Sequence, residues 1–179
     1  MSAPKITVAT TWLDGCSGCH MSFLDLDQRL VELAQLIDIV YSPLVDAKTL
    51  PESVDVGILE GSISSDDDLE KAQSFRKHCK LLISLGDCAV TGNVPAMRNP
   101  FKLADVFDRA YRENVTLQPQ IPTRDVPALR VPVKPIHGEV KVDVFIPGCP
   151  PSAEAIWYVL NELIAGREPD PSSVTRFGA

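Results

Sequence analysis

No apolar run in this chain of 179 residues approaches the roughly 20 needed to cross a bilayer. Excess positive charge is missing too: 17 Lys and Arg face 24 Asp and Glu, for a net charge of −7. That excludes the basic footprint by which proteins hold nucleic acid. Cysteine is sparse and odd in number, five in all, which argues against a secreted disulfide scaffold. A chain of this length hides roughly 70% of its unfolded surface on folding and needs no such staples. Its first residues run almost directly into a strand-like segment, with no signal-peptide pattern. These absences predict a cytoplasmic, reduced protein with no nucleic-acid partner and no membrane span. Unpaired thiols in that compartment are metal-binding, catalytic or simply buried.

What is present is ordinary globular material, 45% hydrophobic and 23% charged. Short β-branched or apolar runs at 6–11, 37–41, 54–59, 81–85 and 142–146 read as strands. Between them, 21–36 carries apolar residues at helical spacing with Asp25, Asp27 and Glu32 opposite. Ser64, Ser65 and Asp66 to Asp68 open a second helix that reaches His78. The acidic run is a cap and first turn that complements the helix dipole. Further helices are expected at 101–111 and 152–164. Strands that are nearly continuous apolar runs, alternating with helices, indicate a parallel sheet covered on both faces. The expectation is a single α/β domain over 1–179, a flavodoxin-like three-layer fold with about five strands. One stretch departs from the pattern. Residues 119–135 hold five prolines and little periodicity. A structureless connection that long is uncommon and usually functional. The segment at about 113–141 is read either as a solvated loop or as a face for a partner chain.

The five cysteines fall unevenly on this map. Cys16 and Cys19 follow the first strand, Cys88 the fourth and Cys149 the fifth. Loops after parallel strands emerge along one edge, where ligands bind. Three loops thus deliver four thiols to one rim. Cys79 is placed at a helix end on the opposite rim, as a bystander. Soft thiolates in a set of four suit zinc or an iron–sulfur cluster. Zinc sites usually show two close pairs. Here one pair joins two isolated cysteines, with 68 residues between Cys19 and Cys88 and 60 between Cys88 and Cys149. Such spacing is compatible with a cuboidal cluster at the rim of a preformed fold. A thioredoxin-like redox pair at Cys16 and Cys19 fits neither the two extra thiols nor the order of elements.

The residues around the thiols carry a resemblance. Trp12-Leu13-Asp14-Gly15-Cys16-Ser17-Gly18-Cys19-His20-Met21-Ser22 resembles the first motif of nickel–iron hydrogenase small subunits. Glu60-Gly61-Ser62, Gly86-Asp87-Cys88 with Thr91-Gly92-Asn93, and Gly148-Cys149-Pro150-Pro151 are similar to that family's remaining motifs, in the same order. The resemblance covers roughly residues 6–166. Many members continue into a region with two more clusters, whereas this sequence has no cysteine after Cys149, so one cluster is expected. The short form, with His20-Met21-Ser22 after the pair, resembles the NAD-reducing, bidirectional branch. A related module, the cluster-bearing subunit of NADH–quinone oxidoreductase, typically has two adjacent cysteines in its first motif. It remains an alternative.

The resemblance implies one [4Fe–4S] cluster on Cys16, Cys19, Cys88 and Cys149. It implies a nickel–iron centre in a separate large subunit, and FMN and NAD in a partner diaphorase with further iron–sulfur centres. Backbone N–H groups of Gly15, Gly18, Gly86 and Gly148 are expected to tune the cluster. Glu60 is expected at the ligand rim, either as a proton relay or as a cap on neighbouring N–H groups. Trp12 is expected to pack over the site or at the subunit contact, and His20 to make a polar contact without ligating. An FMN in this chain would rest on fold analogy alone. The loop from Trp12 to His20 is occupied by cysteines and is no phosphate cradle.

Overall fold

The computed structural model describes residues 4–175. Its first half runs β1 (Ile6–Trp12), α1 (Gly18–Leu24), α2 (Arg29–Leu36), β2 (Ile37–Tyr41), β3 (Val54–Glu60), β4 (Ile63–Ser65) and α3 (Asp66–His78). Its second half runs β5 (Cys79–Leu85), α4 (Asp87–Thr91), α5 (Asn93–Ala96), α6 (Leu103–Asp108), β6 (Leu129–Lys134), β7 (Val144–Ile146) and α7 (Ala153–Ile164). Five strands form one sheet in the order β2-β1-β3-β5-β7, every neighbouring pair parallel. This is the doubly wound α/β arrangement that the alternating pattern predicts.

The sheet is buried on both faces, as its unbroken apolar strands require. Val8, Ile58, Ile83 and Leu85 pack one face against Phe23, Leu33, Ile156 and Val159 of α1, α2 and α7. Leu59 and Leu82 face the other way, toward Ala72 and Phe75 of α3. Each such side chain contributes about 1.5–3 kcal/mol when fully buried. Ser65 caps α3: its hydroxyl accepts the Asp68 N–H, and the Asp68 carboxylate accepts the Ser65 N–H at 2.9 Å. The acidic run is therefore a capping box with two further acids in the first turn, and Arg76, Lys77 and His78 close the last turn.

Two sequence expectations need correction. The helix expected over 21–36 is two helices, broken at 25–28 where Asp27 adopts a left-handed φ of 52°. An Asp tolerates that conformation, so the apolar spacing survives while the axis turns. The stretch at 119–135 is not structureless, because β6 pairs antiparallel with β4 as a separate two-stranded sheet. Pro132 fits there, since a proline is tolerated in an edge strand. Cys79 falls where expected, as the C-cap of α3 and the first residue of β5, at the rim opposite the other four thiols. Among the described residues, no helix is long and apolar enough to cross a membrane.

Candidate metal centre

Four loops meet at the ends of β1, β3, β5 and β7. Backbone hydrogen bonds stitch them in pairs. Leu13 N–H donates to the Glu60 carbonyl at 2.8 Å, and Asp14 and Ser62 exchange bonds of 3.1 and 2.7 Å. On the other side, Asp87 N–H donates to the Gly148 carbonyl at 2.9 Å, and the Asp87 carboxylate accepts the Gly148 N–H at 2.7 Å. The Ser22 hydroxyl bonds the Pro151 carbonyl and ties α1 to the last loop. These contacts tie together segments far apart in sequence along one rim.

Cys16, Cys19, Cys88 and Cys149 line one cavity of about 110 Å³ at that rim, with Glu60 and Asp87 beside them. Cys16 and Cys149 are exposed, and Cys19 and Cys88 are partly buried. Among the described residues, no three His, Cys, Asp or Glu side chains converge closely enough to hold a single ion. The thiols surround a space and do not meet at a point. Soft sulfur donors around a space fit a multi-iron cluster, whose iron atoms each take one of them. Gly86 makes room for this. It sits at φ +85°, and a Cβ there would collide with the Cys19 sulfur.

The electrostatics also favour a cation. Burial pushes the Cys19 thiol well up, and the nearby Glu60, Cys88, Cys16 and Cys149 add to it. Burial likewise raises Cys88, with smaller increments from Cys149 and Cys16, while the Val94 N–H and the Asn93 side chain work the other way. Thiols so placed hold their protons unless a metal ion displaces them. Two of the four glycine N–H groups expected to face sulfur are engaged elsewhere. Gly86 N–H is taken by the Ile146 carbonyl at 2.7 Å and Gly148 N–H by Asp87. Instead the Asn93 amide lies 3.5 Å from the Cys149 sulfur.

Glu60 is 2% exposed. Its Oε2 accepts both the backbone N–H of His20 and a contact from His20 Nδ1, each at 2.6 Å. The carboxylate therefore caps an orphan donor in the first turn of α1, a helix whose N-cap Ser17 makes no side-chain bond. His20 Nε2 lies 2.9 Å from Thr10 Oγ1, so both ring nitrogens are engaged away from the thiols. Trp12 stands edge-on to that ring at 5.4 Å. In the sequence Asp87 is only part of a motif; its role as the clasp between two loops depends on tertiary pairing.

A family model described as "NADH ubiquinone oxidoreductase, 20 Kd subunit" matches residues 16–163. The delta subunit of the NAD-reducing hydrogenase HoxS of Cupriavidus necator is 46% identical, over 97% of this chain and 86% of its own length. A subunit of the F420-non-reducing hydrogenase of Methanothermobacter marburgensis is 39% identical over 93% of this chain, which spans 56% of that relative. Among solved structures, a NAD+-reducing [NiFe]-hydrogenase in its H2-reduced state superimposes with a TM-score of 0.92 and 37% identity, covering 97% of this chain and 99% of the other. The [NiFeSe] hydrogenase of Desulfovibrio vulgaris Hildenborough shares the fold, with a TM-score of 0.54 and 16% identity over 92% of this chain and 64% of its own.

Proposed function

The chain belongs to the family of the 20 Kd subunit of NADH ubiquinone oxidoreductase, and from that premise we propose that it is the electron-transfer small subunit of a NAD-reducing [NiFe] hydrogenase. One observation carries the reading. Four thiols from three loops line a single cavity in a chain that is 46% identical to a NAD-reducing hydrogenase subunit. In this reading Cys16, Cys19, Cys88 and Cys149 hold one [4Fe–4S] cluster. When bound, that cluster supplies a one-electron station between a nickel–iron centre on a large subunit and a flavin-containing diaphorase that reduces NAD⁺.

The chain's own residues then have assigned tasks. Gly86 and the Asp87 clasp hold Cys19, Cys88 and Cys149 at working separation. Asn93 and the Val94 N–H place donors near sulfur and favour the reduced state. Glu60 holds the α1 N-terminus through His20 and keeps a carboxylate beside Cys19. The exposed thiols Cys16 and Cys149 open the site toward partner chains. The segment at about 113–141 supports a partner-facing role, because Leu117 and Val131 leave apolar surface exposed there. Met97 and Phe101 do the same nearby, held against β6 by Asn99. The localisation we propose is cytoplasmic.

The test is direct. Protein purified without oxygen together with its partner subunits should be brown, absorb broadly near ~400 nm and contain about four irons per chain. It should reduce NAD⁺ with hydrogen. A colourless protein with one zinc would end the electron-transfer reading in favour of a structural scaffold. Iron with quinone reduction and no hydrogen uptake would favour the alternative, a subunit of an NADH–quinone oxidoreductase-like complex.

A further inference from the structure

A groove of about 600 Å³ runs between α6 and the proline-rich stretch that leads into β6. Leu103, Phe107 and Tyr111 form one wall, on α6 and on the π-helical turn Arg109–Glu113 that continues it. Ile121, Val126 and Leu129 form the other. Tyr111, Val126 and Leu129 are exposed, so the groove leaves apolar lining in water.

The second wall also offers open backbone. Among the described residues, no backbone–backbone hydrogen bond reaches Ile121 to Arg124. Pro122 has no N–H, but Ile121, Thr123 and Arg124 do, and all four residues carry a carbonyl. Strand addition uses this combination: unpaired backbone gives affinity, and a pocket for side chains gives specificity. Asp125, at a φ of 60°, turns the chain and ends the run.

Charge selects the occupant. The whole chain carries −7, yet residues 98–134 hold seven Arg and Lys against four Asp and Glu, a local charge of +3. Arg109, Arg112, Arg130 and Lys134 are paired with carboxylates of this chain. Lys102 and Arg124 form no ion pair among the described residues; each is exposed and adjoins a lining residue, on opposite walls. The acidic remainder of the chain repels nucleic acid, so the matching counter-charge is a carboxylate on a protein.

We propose that this groove receives an extended acidic segment of a partner subunit. Its apolar side chains enter between Phe107 and Ile121, its backbone pairs with Ile121 to Arg124, and its Asp or Glu side chains meet Lys102 and Arg124. The inference rests on the reading of this chain as one subunit of a complex, and adds the chemistry of what docks on it.

The experiment uses the purified complex with the photo-crosslinker p-benzoylphenylalanine in place of Phe107 or, should that disturb the groove, in place of exposed Thr123. Irradiation should join the chain to a partner-subunit peptide that has apolar residues and Asp or Glu beside them, as identified by mass spectrometry. The amide hydrogens of Ile121, Thr123 and Arg124 should exchange slowly in the intact complex. Lys102→Glu combined with Arg124→Glu should weaken subunit association about tenfold at low salt and less at high salt. No cross-link would overturn the proposal, as would one to a second copy of this chain or to a peptide without acidic residues. Fast exchange at all three amides, or unchanged association in the double variant, would overturn it too. The metal reading is tested separately, since cross-linking needs no iron and the iron assay needs no cross-link.

Discussion

The two rims of one sheet each hold a thiol and a carboxylate, yet only one of them is a site. At the rim where the strands start, Cys79 is 4% exposed and packs on Gly57, with burial lifting its thiol to about 11. At the rim where they end, burial lifts Cys19 further, and three more thiols surround the same cavity. Burial alone therefore makes an inert thiol, and convergence makes a ligand set. The carboxylates differ in the same way. Asp55 accepts from Thr7 and Lys80 and knits the starts of β1, β3 and β5. Glu60 knits the strand-end rim but also lies beside Cys19.

Six substitutions break or sharpen that contrast. Cys19→Ser should strip the chain of iron entirely, while Cys79→Ser should keep all of it; iron assay of the two purified variants checks this. Equal iron in both would place the ligand set wrongly. Gly86→Ala and Gly57→Ala come next. The first forces a Cβ onto the Cys19 sulfur at positive φ, costs about 1–3 kcal/mol and should lose most of the iron. The second meets Cys79 Sγ at 2.6 Å and should cost a similar ~1–3 kcal/mol in denaturant melts with the iron retained.

Glu60→Gln removes charge and keeps an oxygen for the His20 N–H. Iron content should hold, and a severalfold fall in hydrogen-dependent NAD⁺ reduction would support proton handling at this carboxylate. Full activity would leave Glu60 as a cap only. The smallest effect belongs to Asp55→Asn. The Lys80 ammonium, followed by the Thr7 N–H and hydroxyl, holds the Asp55 carboxyl down to about 2. Its folded value is depressed, so its stabilisation is complete above the unfolded value near ~4 and fades as pH falls toward about 2. Solvent screening limits the effect to about 1 kcal/mol at neutral pH. Melts should show the difference between wild type and Asp55→Asn shrinking below pH ~4.

Much of this contrast is legible in the sequence because it depends on local pattern. An apolar run reads as a buried strand wherever it pairs, and a parallel sheet sends every following loop to one edge. Cys16, Cys19, Cys88 and Cys149 are thus placed together without any distance. Helix spacing is less reliable. The apolar positions of 21–36 fit one helix or two, and only packing over β1 and β2 decides that Asp27 turns the chain. β6 escapes a sequence reading for a related reason. Its prolines mask a strand whose partner, β4, is three residues long and lies 64 residues earlier at the Ser65–Leu129 pair.

The sequence by itself determined the five strands of the parallel sheet, the four-plus-one division of the cysteines and the capped start of α3. Each follows from covalent spacing, side-chain chemistry and the period of the backbone. Tertiary structure alone decided which groups face the sulfur atoms. It spent the Gly86 and Gly148 N–H groups on loop closure, brought Asn93 to Cys149, and joined Glu60 to His20 across 40 residues. Hydrogen-bond donors are interchangeable in sequence, and only their final direction and distance determine which acceptor they serve.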